Sequence, residues 1–220
     1  MITFESTRQG YLNLWQKIQV RPEKVVPADA VVKRIIARKT DYAAIEKATG
    51  VPWFLIAAIH YRESDLDFDT YLGNGQALKK VTTQVPRGRG PFVDFMHGAI
   101  DALTLDGLPI IKDWPIERVA WASERENGEG YFSRNINSPY LWAGSNLYEK
   151  GKFISDGVFD SEFVDPQLGT IVIINRLVVA KVVSFAVDNQ PTVVQPKSDL
   201  SVIIAAFRAV ADGLEKGLIR

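Results

Sequence analysis

Glu63 is the acidic residue whose setting in the sequence most favours chemistry. It ends an almost entirely apolar stretch, VPWFLIAAIHYRES, at residues 51–64. A helix that is apolar on nearly every side is a core helix, so this stretch predicts a buried helix with one carboxyl at its end. Burial disfavours the charged form of a carboxyl, and a carboxyl that stays protonated can act as a general acid. The alternative is an ordinary solvated carboxylate that pairs with Arg62 or Lys80.

The composition excludes several other kinds of chemistry. The 220 residues include no Cys, which excludes disulfides, thiolate metal sites and a nucleophilic cysteine. The two His residues, His60 and His97, are far apart in the sequence, so we expect no metal site and no cofactor. Lys and Arg together number 26, as do Asp and Glu. The overall charge therefore directs the chain neither to nucleic acid nor to an anionic membrane.

Three helices are predicted before the central stretch, where they would pack around it. Apolar residues at helical spacing predict the first helix over residues 4–20, which Pro22 would end. The second helix is predicted to start after Pro27. Asp41 is expected to cap a short third helix that stops at Gly50.

The pattern after the central stretch changes to turn residues and alternation. Asn74-Gly75 is a strong short-range hairpin signal, which predicts a small β-hairpin beside the acid. Two further helices are predicted over residues 92–106 and 115–126. Two arginines between glycines, Arg87 and Arg89, are expected either to bind anionic groups or to be solvated.

The segment of residues 127–153 is rich in Gly, Asn, Ser and aromatic residues. It is too polar for a typical core and too aromatic for a linker. Flat rings stack on sugar faces, while amides and hydroxyls pair with sugar hydroxyls. This composition therefore favours a surface that binds a polyhydroxylated ligand.

The last part of the chain begins with its most apolar window, residues 170–187. Three polar or charged residues near the middle of this window favour a packed helix over a membrane span: Asn175, Arg176 and Lys181. A final helix is predicted over residues 200–216. We expect a main domain at residues 1–188, and a C-terminal linker and helix at residues 189–220 that packs on it.

Several blocks, taken in order, resemble the lysozyme superfamily, which includes goose-type lysozymes and lytic transglycosylases. Arg62-Glu63-Ser64, followed by the aromatic Phe68, resembles the Glu-Ser signature of that superfamily. The larger pattern resembles bacterial and phage lysozyme family proteins, or endolysins, and spans residues 11–177. It rests also on Thr49-Gly50-Val51-Pro52-Trp53, Leu72-Gly73-Asn74-Gly75-Gln76, Val85-Pro86-Arg87-Gly88-Arg89-Gly90-Pro91-Phe92 and Ser138-Pro139-Tyr140-Leu141-Trp142.

This resemblance implies a mainly α, lysozyme-like (α+β) fold with a small β-hairpin beside the cleft and a C-terminal helical extension. It implies a peptidoglycan glycosidase that cleaves the β-1,4 bond between N-acetylmuramic acid and N-acetylglucosamine, with Glu63 as general acid. Its partners would be peptidoglycan glycan strands. Contacts with these strands are expected from Asn74, Gln76, Thr83, Tyr131, Ser138 and Tyr140.

A second catalytic carboxylate is harder to assign, because no acidic residue lies between Asp69 and Asp94. The candidates are Asp65, Asp67, Asp69, Asp101, Glu124, Glu126 and Glu129. If none reaches the site, the resemblance favours a lytic transglycosylase, in which Glu63 acts as acid and then as base. Tyr140 resembles the tyrosine near the cleft of such enzymes, although a role as an aromatic core residue fits its sequence equally well.

The same residues are compatible with two further functions. One is that of a catalytically silent module that binds the cell wall or has a structural role, and the second is that of a chitinase or chitosanase. The first residues lack the basic start and apolar block of a signal peptide. We therefore expect synthesis in the cytoplasm and action in the periplasm or cell wall after release, for example through a phage holin.

Overall fold

The computed structural model describes residues 3–155 and 157–185, so the predicted helix at residues 200–216 lies outside the described part. The described chain is mainly helical with one two-stranded antiparallel sheet, which confirms the prediction at that level. Its helices are α1 (Phe4–Lys17), α2 (Pro22–Ala37), α3 (Lys39–Thr49), α4 (Trp53–Ser64), α5 (Phe95–Leu105), α6 (Ile116–Asn127), α7 (Pro139–Trp142) and α8 (Thr170–Val179). Short 3₁₀ helices span Leu108–Ile110 and Glu129–Arg134, and the strands are β1 (Lys152–Ser155) and β2 (Val158–Asp160).

The apolar stretch forms the central helix α4, as predicted. Every residue from Trp53 to Tyr61 is buried except Phe54, which is half-buried. Helices α3, α6 and α8 pack against α4, so apolar surface on several sides of the helix is removed from water. The last turn, which carries Arg62, Glu63 and Ser64, also keeps partial exposure.

The boundaries of two helices differ from the prediction. Helix α2 begins at Pro22, because a proline in the first turn of a helix has no backbone hydrogen bond to lose. Pro27 consequently lies inside α2 instead of preceding it. Asp41 does not cap α3, which starts at Lys39, and its carboxylate instead pairs with Arg38 at 2.7 Å. The predicted stop of α3 at Gly50 is confirmed.

The hairpin signal at Asn74-Gly75 produces a tight turn instead of two strands. Thr70 and Ala77 form a single antiparallel bridge that closes this turn. Gly75 adopts a φ of 68°, and a Cβ added there would lie 2.5 Å from the backbone oxygen of Glu63. The turn therefore packs directly on the last turn of α4, and the strands of the sheet form elsewhere, at residues 152–160.

A buried ion pair accounts for the charge inside the apolar window at residues 170–187. Arg176 on α8 is fully buried and donates to both carboxylate oxygens of Asp29 on α2, at 2.7 and 3.1 Å. Within this window, Thr170–Val179 form α8, which packs in the core, as predicted. Within the described ranges, no helix has the length and apolar character needed to cross a membrane.

His60 is a core residue on α4. Its ring is fully buried and stacks on Phe95, with 4.2 Å between the ring centroids. Nδ1 lies 2.9 Å from the Tyr42 hydroxyl, and Nε2 lies 3.0 Å from the backbone oxygen of Asp67. A neutral ring satisfies both contacts, because Nε2–H donates to the carbonyl and Nδ1 accepts from the tyrosine. Burial lowers the pKa of His60 to about 4.

Replacing Asp29 by Asn should destabilise the protein strongly, because it removes a buried carboxylate that pairs with the buried Arg176. We expect the free energy of unfolding to fall by about 3 kcal/mol or more, measured by urea denaturation. Glu23→Gln on the same helix is the control, since Glu23 is exposed, and it should change stability by less than about 0.5 kcal/mol. Equal stability of the two variants would contradict this role of the ion pair.

Acid should destabilise the protein through His60. The unfolded chain protonates this histidine below about pH 6.5, whereas the folded chain does so only near its pKa of about 4. The unfolded state therefore binds more protons in this window, and stability falls as the pH falls. Between about pH 7 and about pH 4.5, His60→Gln should remove roughly 2–3 kcal/mol of the loss seen in the wild-type protein.

The second histidine provides the control for this measurement. His97 is exposed on α5, where its Nδ1 lies 2.7 Å from Asp94 Oδ1. Because His97→Gln removes no buried imidazole, this variant should keep most of the acid-induced loss of stability that His60 causes in the wild type. If the His60→Gln and His97→Gln variants lose stability equally on acidification, the assignment to His60 fails.

Candidate active site

Glu63 lies at the C-terminal end of α4 with its side chain only partly exposed. The Tyr140 hydroxyl donates a hydrogen bond to Glu63 Oε1 at 2.9 Å. Burial raises the pKa of Glu63 above its ordinary value, and the negative charge of Asp106 adds to this effect. The Tyr140 hydrogen bond and the charge of Arg62 act in the opposite direction, but burial outweighs them. The carboxyl is thus biased toward its protonated form.

Tyr140 is held in place by the N-terminus of the short helix α7. Ser138 caps this helix, because its Oγ accepts from the Tyr140 backbone N–H at 3.2 Å. Asn127, the last residue of α6, donates to the same Oγ at 3.1 Å. Burial and the nearby carboxyls keep the pKa of Tyr140 well above its ordinary value, so its phenol stays protonated and donates to Glu63.

Two further carboxyls, Asp106 and Glu126, form a hydrogen-bonded pair near Glu63. Asp106 immediately follows α5, and Glu126 lies in the last turn of α6. Arg125 ties these segments together by donating to the backbone oxygen of Asp106 at 3.3 Å. Burial and the charge of Asp106 hold the pKa of Glu126 well above its ordinary value, and Glu63 adds to this shift. The two carboxyls therefore resist being ionised at the same time.

Arg62 does not form the ion pair with Glu63 that a solvated helix-end carboxylate would require. Its Nη2 pairs with Asp165 at 2.9 Å, and the two side chains are only 5% and 0% exposed. Lys152 also pairs with Asp165, at 2.9 Å. Burial alone would raise the pKa of Asp165, but these two cations hold it below its ordinary value. The guanidinium of Arg62 also lies over the ring of Tyr140, at 4.9 Å from its centroid.

Three of the predicted glycan contacts form hydrogen bonds inside one loop: Asn74, Gln76 and Thr83. Gln76 Nε2 donates to Thr83 Oγ1 at 3.0 Å, and Gln76 Oε1 accepts from the Thr83 backbone N–H at 2.9 Å. Asn74 Nδ2 donates to the Gln84 backbone oxygen at 3.3 Å. Their visible role is to hold the loop that follows the turn at residues 70–77, and contact with a glycan stays a prediction.

The remaining three predicted contacts, Tyr131, Ser138 and Tyr140, lie in the segment of residues 127–153. All three are buried, as are Leu141 and Trp142. The polar composition of this segment was therefore misleading, because much of it is core. Tyr140 reaches Glu63, Ser138 supports Tyr140, and Tyr131 accepts a hydrogen bond from the Phe153 backbone N–H at 3.0 Å.

Most of the candidates for a second catalytic carboxylate have different roles. Asp65 pairs with Arg34 at 3.0 Å, and Asp101 accepts from Arg89 and from the Tyr71 hydroxyl. Arg89 is thus bound to Asp101 instead of facing an anionic ligand, whereas Arg87 is exposed. Asp67 and Asp69 are exposed loop residues, and Glu124 is buried on α6. The side chain of Glu129 lies outside the described part.

Glu126 is the candidate that the structure brings into electrostatic contact with Glu63. Its partner Asp106 was missed by the sequence analysis, because nothing in the residues around it marks it as different from an ordinary helix-end Asp. Asp165 was also missed, because nothing in the residues around it indicates that it is buried and paired with Arg62.

No group of three or more His, Cys, Asp or Glu side chains in residues 3–155 and 157–185 is arranged to hold a metal ion. Comparisons of the chain with protein-family models, with curated proteins and with solved structures found no significant match. The functional assignment consequently depends on the geometry of the site and on the motifs in the sequence.

The pKa of Glu63 should respond in opposite directions to two changes around it. Tyr140→Phe removes a hydrogen bond that favours the ionised form, so the pKa should rise. Asp106→Asn combined with Glu126→Gln removes the negative charge that this pair can hold near Glu63, so the pKa should fall. Carbon-detected NMR titration of the Glu side-chain carboxyls measures both shifts. Shifts of the same sign, or none, would contradict the electrostatic arrangement described for this site.

Proposed function

We propose that this protein is a peptidoglycan-degrading glycosidase in which Glu63 is the general acid. The bond cleaved would be the β-1,4 bond between N-acetylmuramic acid and N-acetylglucosamine. The observation that carries the proposal is a carboxyl with a raised pKa at the end of a buried helix, oriented by the Tyr140 hydroxyl at 2.9 Å. Glycosidic cleavage requires a carboxyl of this kind, because the leaving oxygen must be protonated.

The geometry suggests different roles for the two carboxyl oxygens of Glu63. Tyr140 donates to Oε1, which leaves Oε2 as the atom that carries the proton. Transfer of this proton to the glycosidic oxygen accompanies breakage of the bond to the sugar carbon, which becomes positively charged. Glu63, now ionised, then accepts a proton from the water that adds to this carbon. A raised pKa produced by an apolar setting is also what allows the catalytic glutamate of lysozyme to act as a general acid.

We further propose that the helical arrangement is lysozyme-like. The order of the elements supports this interpretation: a buried helix ends at the acid, and a turn closed by one antiparallel bridge packs against that end. Helices α5 and α6 follow and supply Asp106 and Glu126 to the same region. Two of the motifs that resemble the lysozyme superfamily lie on α4 and on this turn: Arg62-Glu63-Ser64 and Leu72-Gly73-Asn74-Gly75-Gln76.

A lytic transglycosylase is the second candidate, and the state of Glu126 favours it. A hydrolase of the lysozyme type uses a second, ionised carboxylate. Burial and the charge of Asp106 hold the pKa of Glu126 well above its ordinary value, so Glu126 is poorly suited to that role. In a transglycosylase the hydroxyl of the substrate itself attacks the sugar carbon, and Glu63 alone can serve first as acid and then as base.

The proposed substrate places the action of the protein in the cell wall. We propose that it is made in the cytoplasm and reaches the glycan strands of the periplasm or cell wall after release, for example through a phage holin. Chitin and chitosan are further glycans that the same acid chemistry could cleave, and cleavage of chitin oligomers instead of cell wall would replace peptidoglycan as the substrate.

Glu63→Gln should abolish lysis of purified cell wall while leaving wall binding intact. Gln cannot donate the proton, and loss of a general acid lowers rates by roughly 10²–10⁴-fold. Turbidity of wall suspensions and co-sedimentation with wall measure the two properties. Glu149→Gln is the matched control, because Glu149 is exposed away from the described site, and it should keep full activity.

The products identify the reaction. Mass spectrometry of digested wall distinguishes a reducing end from an anhydro end, because the two differ by one water. Unchanged lysis by the Glu63→Gln variant would refute the role of Glu63. Binding of the wall by the wild-type protein without any cleavage would instead support a catalytically silent wall-binding or structural module.

A further inference from the structure

A cavity of about 350 Å³ lies beside the candidate active site. The ends of α4 and α6, the start of α7 and strand β1 contribute its walls, which include Arg62, Tyr131, Pro139, Lys152 and Phe153. This volume is in the range of pockets that bind small ligands. The mixture of two aromatic rings with two cations suits a ligand that has both an apolar face and a negative charge.

Two cationic side chains line this cavity. Arg62 and Lys152 both pair with the single carboxylate of Asp165. Among the described side chains that line the cavity, none is acidic. Arg62 and Asp165 are almost fully buried, whereas Lys152 is 28% exposed. Two cations that share one anion favour an anionic ligand, because a low dielectric strengthens the attraction.

Arg62 also has a hydrogen-bond donor, its Nε–H, that could contact a ligand. Its side chain is 5% exposed, yet its buried Nε has no hydrogen-bond partner among the described residues. The terminal nitrogens of its guanidinium contact Asp165 and the backbone oxygens of Gln167 and Leu168. Leaving a buried donor unpaired costs about 1–3 kcal/mol. An acceptor oxygen from a ligand in the cavity would remove this cost.

The cavity lies next to residues that contact the acid. Pro139 lines the cavity, and the next residue, Tyr140, donates its hydroxyl to Glu63. Arg62 lines the cavity as well, and its guanidinium lies over the Tyr140 ring. A sugar whose bond is cleaved at Glu63 could therefore place a substituent in the cavity.

We propose that this cavity binds the carboxylate carried by the muramoyl residue of peptidoglycan, with Arg62 and Lys152 as its cationic contacts. The proposal rests on the proposed function, and it adds a basis for preferring wall glycan to chitin, whose sugars carry no carboxylate. The carboxylate has two possible sources: the lactyl group of muramic acid itself, or the peptide stem attached to it. Both present the same chemistry to the two cations.

Three small probes distinguish these sources. They are N-acetylmuramic acid with a free lactyl carboxylate, N-acetylmuramoyl-L-alanyl-D-isoglutamine with a carboxylate on the peptide, and uncharged N-acetylglucosamine. NMR titration of the backbone amides of Gly128, Gly130 and Phe153 reports binding at the cavity walls. At least one of the two charged probes should bind about tenfold more tightly than N-acetylglucosamine, and the one that binds more tightly identifies the source of the carboxylate.

Lys152→Gln tests the cationic contact without removing a buried partner, since Lys152 is 28% exposed and Arg62 stays paired with Asp165. This variant should weaken binding of the charged probe about tenfold. Lys150→Gln is the matched control, because Lys150 is exposed, pairs with Glu162 and does not line the cavity, and its affinity should equal that of the wild type. Circular dichroism checks that both variants are folded.

The outcomes separate this proposal from the proposed function. Equal affinity for charged and uncharged probes, or equal affinity of the Lys152→Gln and Lys150→Gln variants, would overturn the carboxylate site even if Glu63→Gln abolishes lysis. Binding that depends on Lys152, combined with unchanged lysis by the Glu63→Gln variant, would keep the site and reject the role of Glu63.

Discussion

Helix α4 has almost no polar face, so it cannot lie at the surface, and the rest of the described chain is arranged to cover it. Helices α3, α6 and α8 pack against it, and the hydrophobic effect that drives this burial is the dominant favourable contribution to folding. Because the helix is enclosed along its length, its last turn emerges at a fixed position. Glu63 is therefore placed by the packing of the whole core, and its pKa is raised by the same burial.

This placement costs stability at neutral pH. Carboxyls whose pKa is higher in the folded state than in the unfolded chain stabilise the fold below the unfolded pKa, and this contribution is lost as the pH rises through the folded pKa. Glu63 and Glu126 both have raised pKa values, so keeping them in the core works against folding near neutral pH. Such an arrangement is typical of functional sites, where perturbed pKa values cluster.

The buried carboxylate of Asp165 joins the acid site to the adjacent cavity. It fixes Arg62 on α4 and Lys152 on β1, and its neighbour Gln167 donates to the backbone oxygens of Tyr61 and Arg62 at the end of α4. Asp165 thus orients two cations, while Gln167 satisfies backbone oxygens at the end of the central helix. The cost of burying Asp165 is offset by these contacts, since a buried charge is tolerated when it is paired and hydrogen-bonded.

The sequence by itself determined the central helix, its terminal acid and the stop at Gly50, because these depend on local apolar pattern and on the backbone freedom of glycine. Only the tertiary structure decided the partners of the acid. Glu126, Asp106 and Tyr140 come from three separate segments, and their approach to Glu63 depends on how α5, α6 and α7 pack. The tertiary structure also decided that the turn at Asn74-Gly75 forms a single bridge and that residues 138–145 of the aromatic segment are core. A local pattern records which residues are adjacent in the chain, whereas a cluster of buried carboxyls is produced by long-range packing.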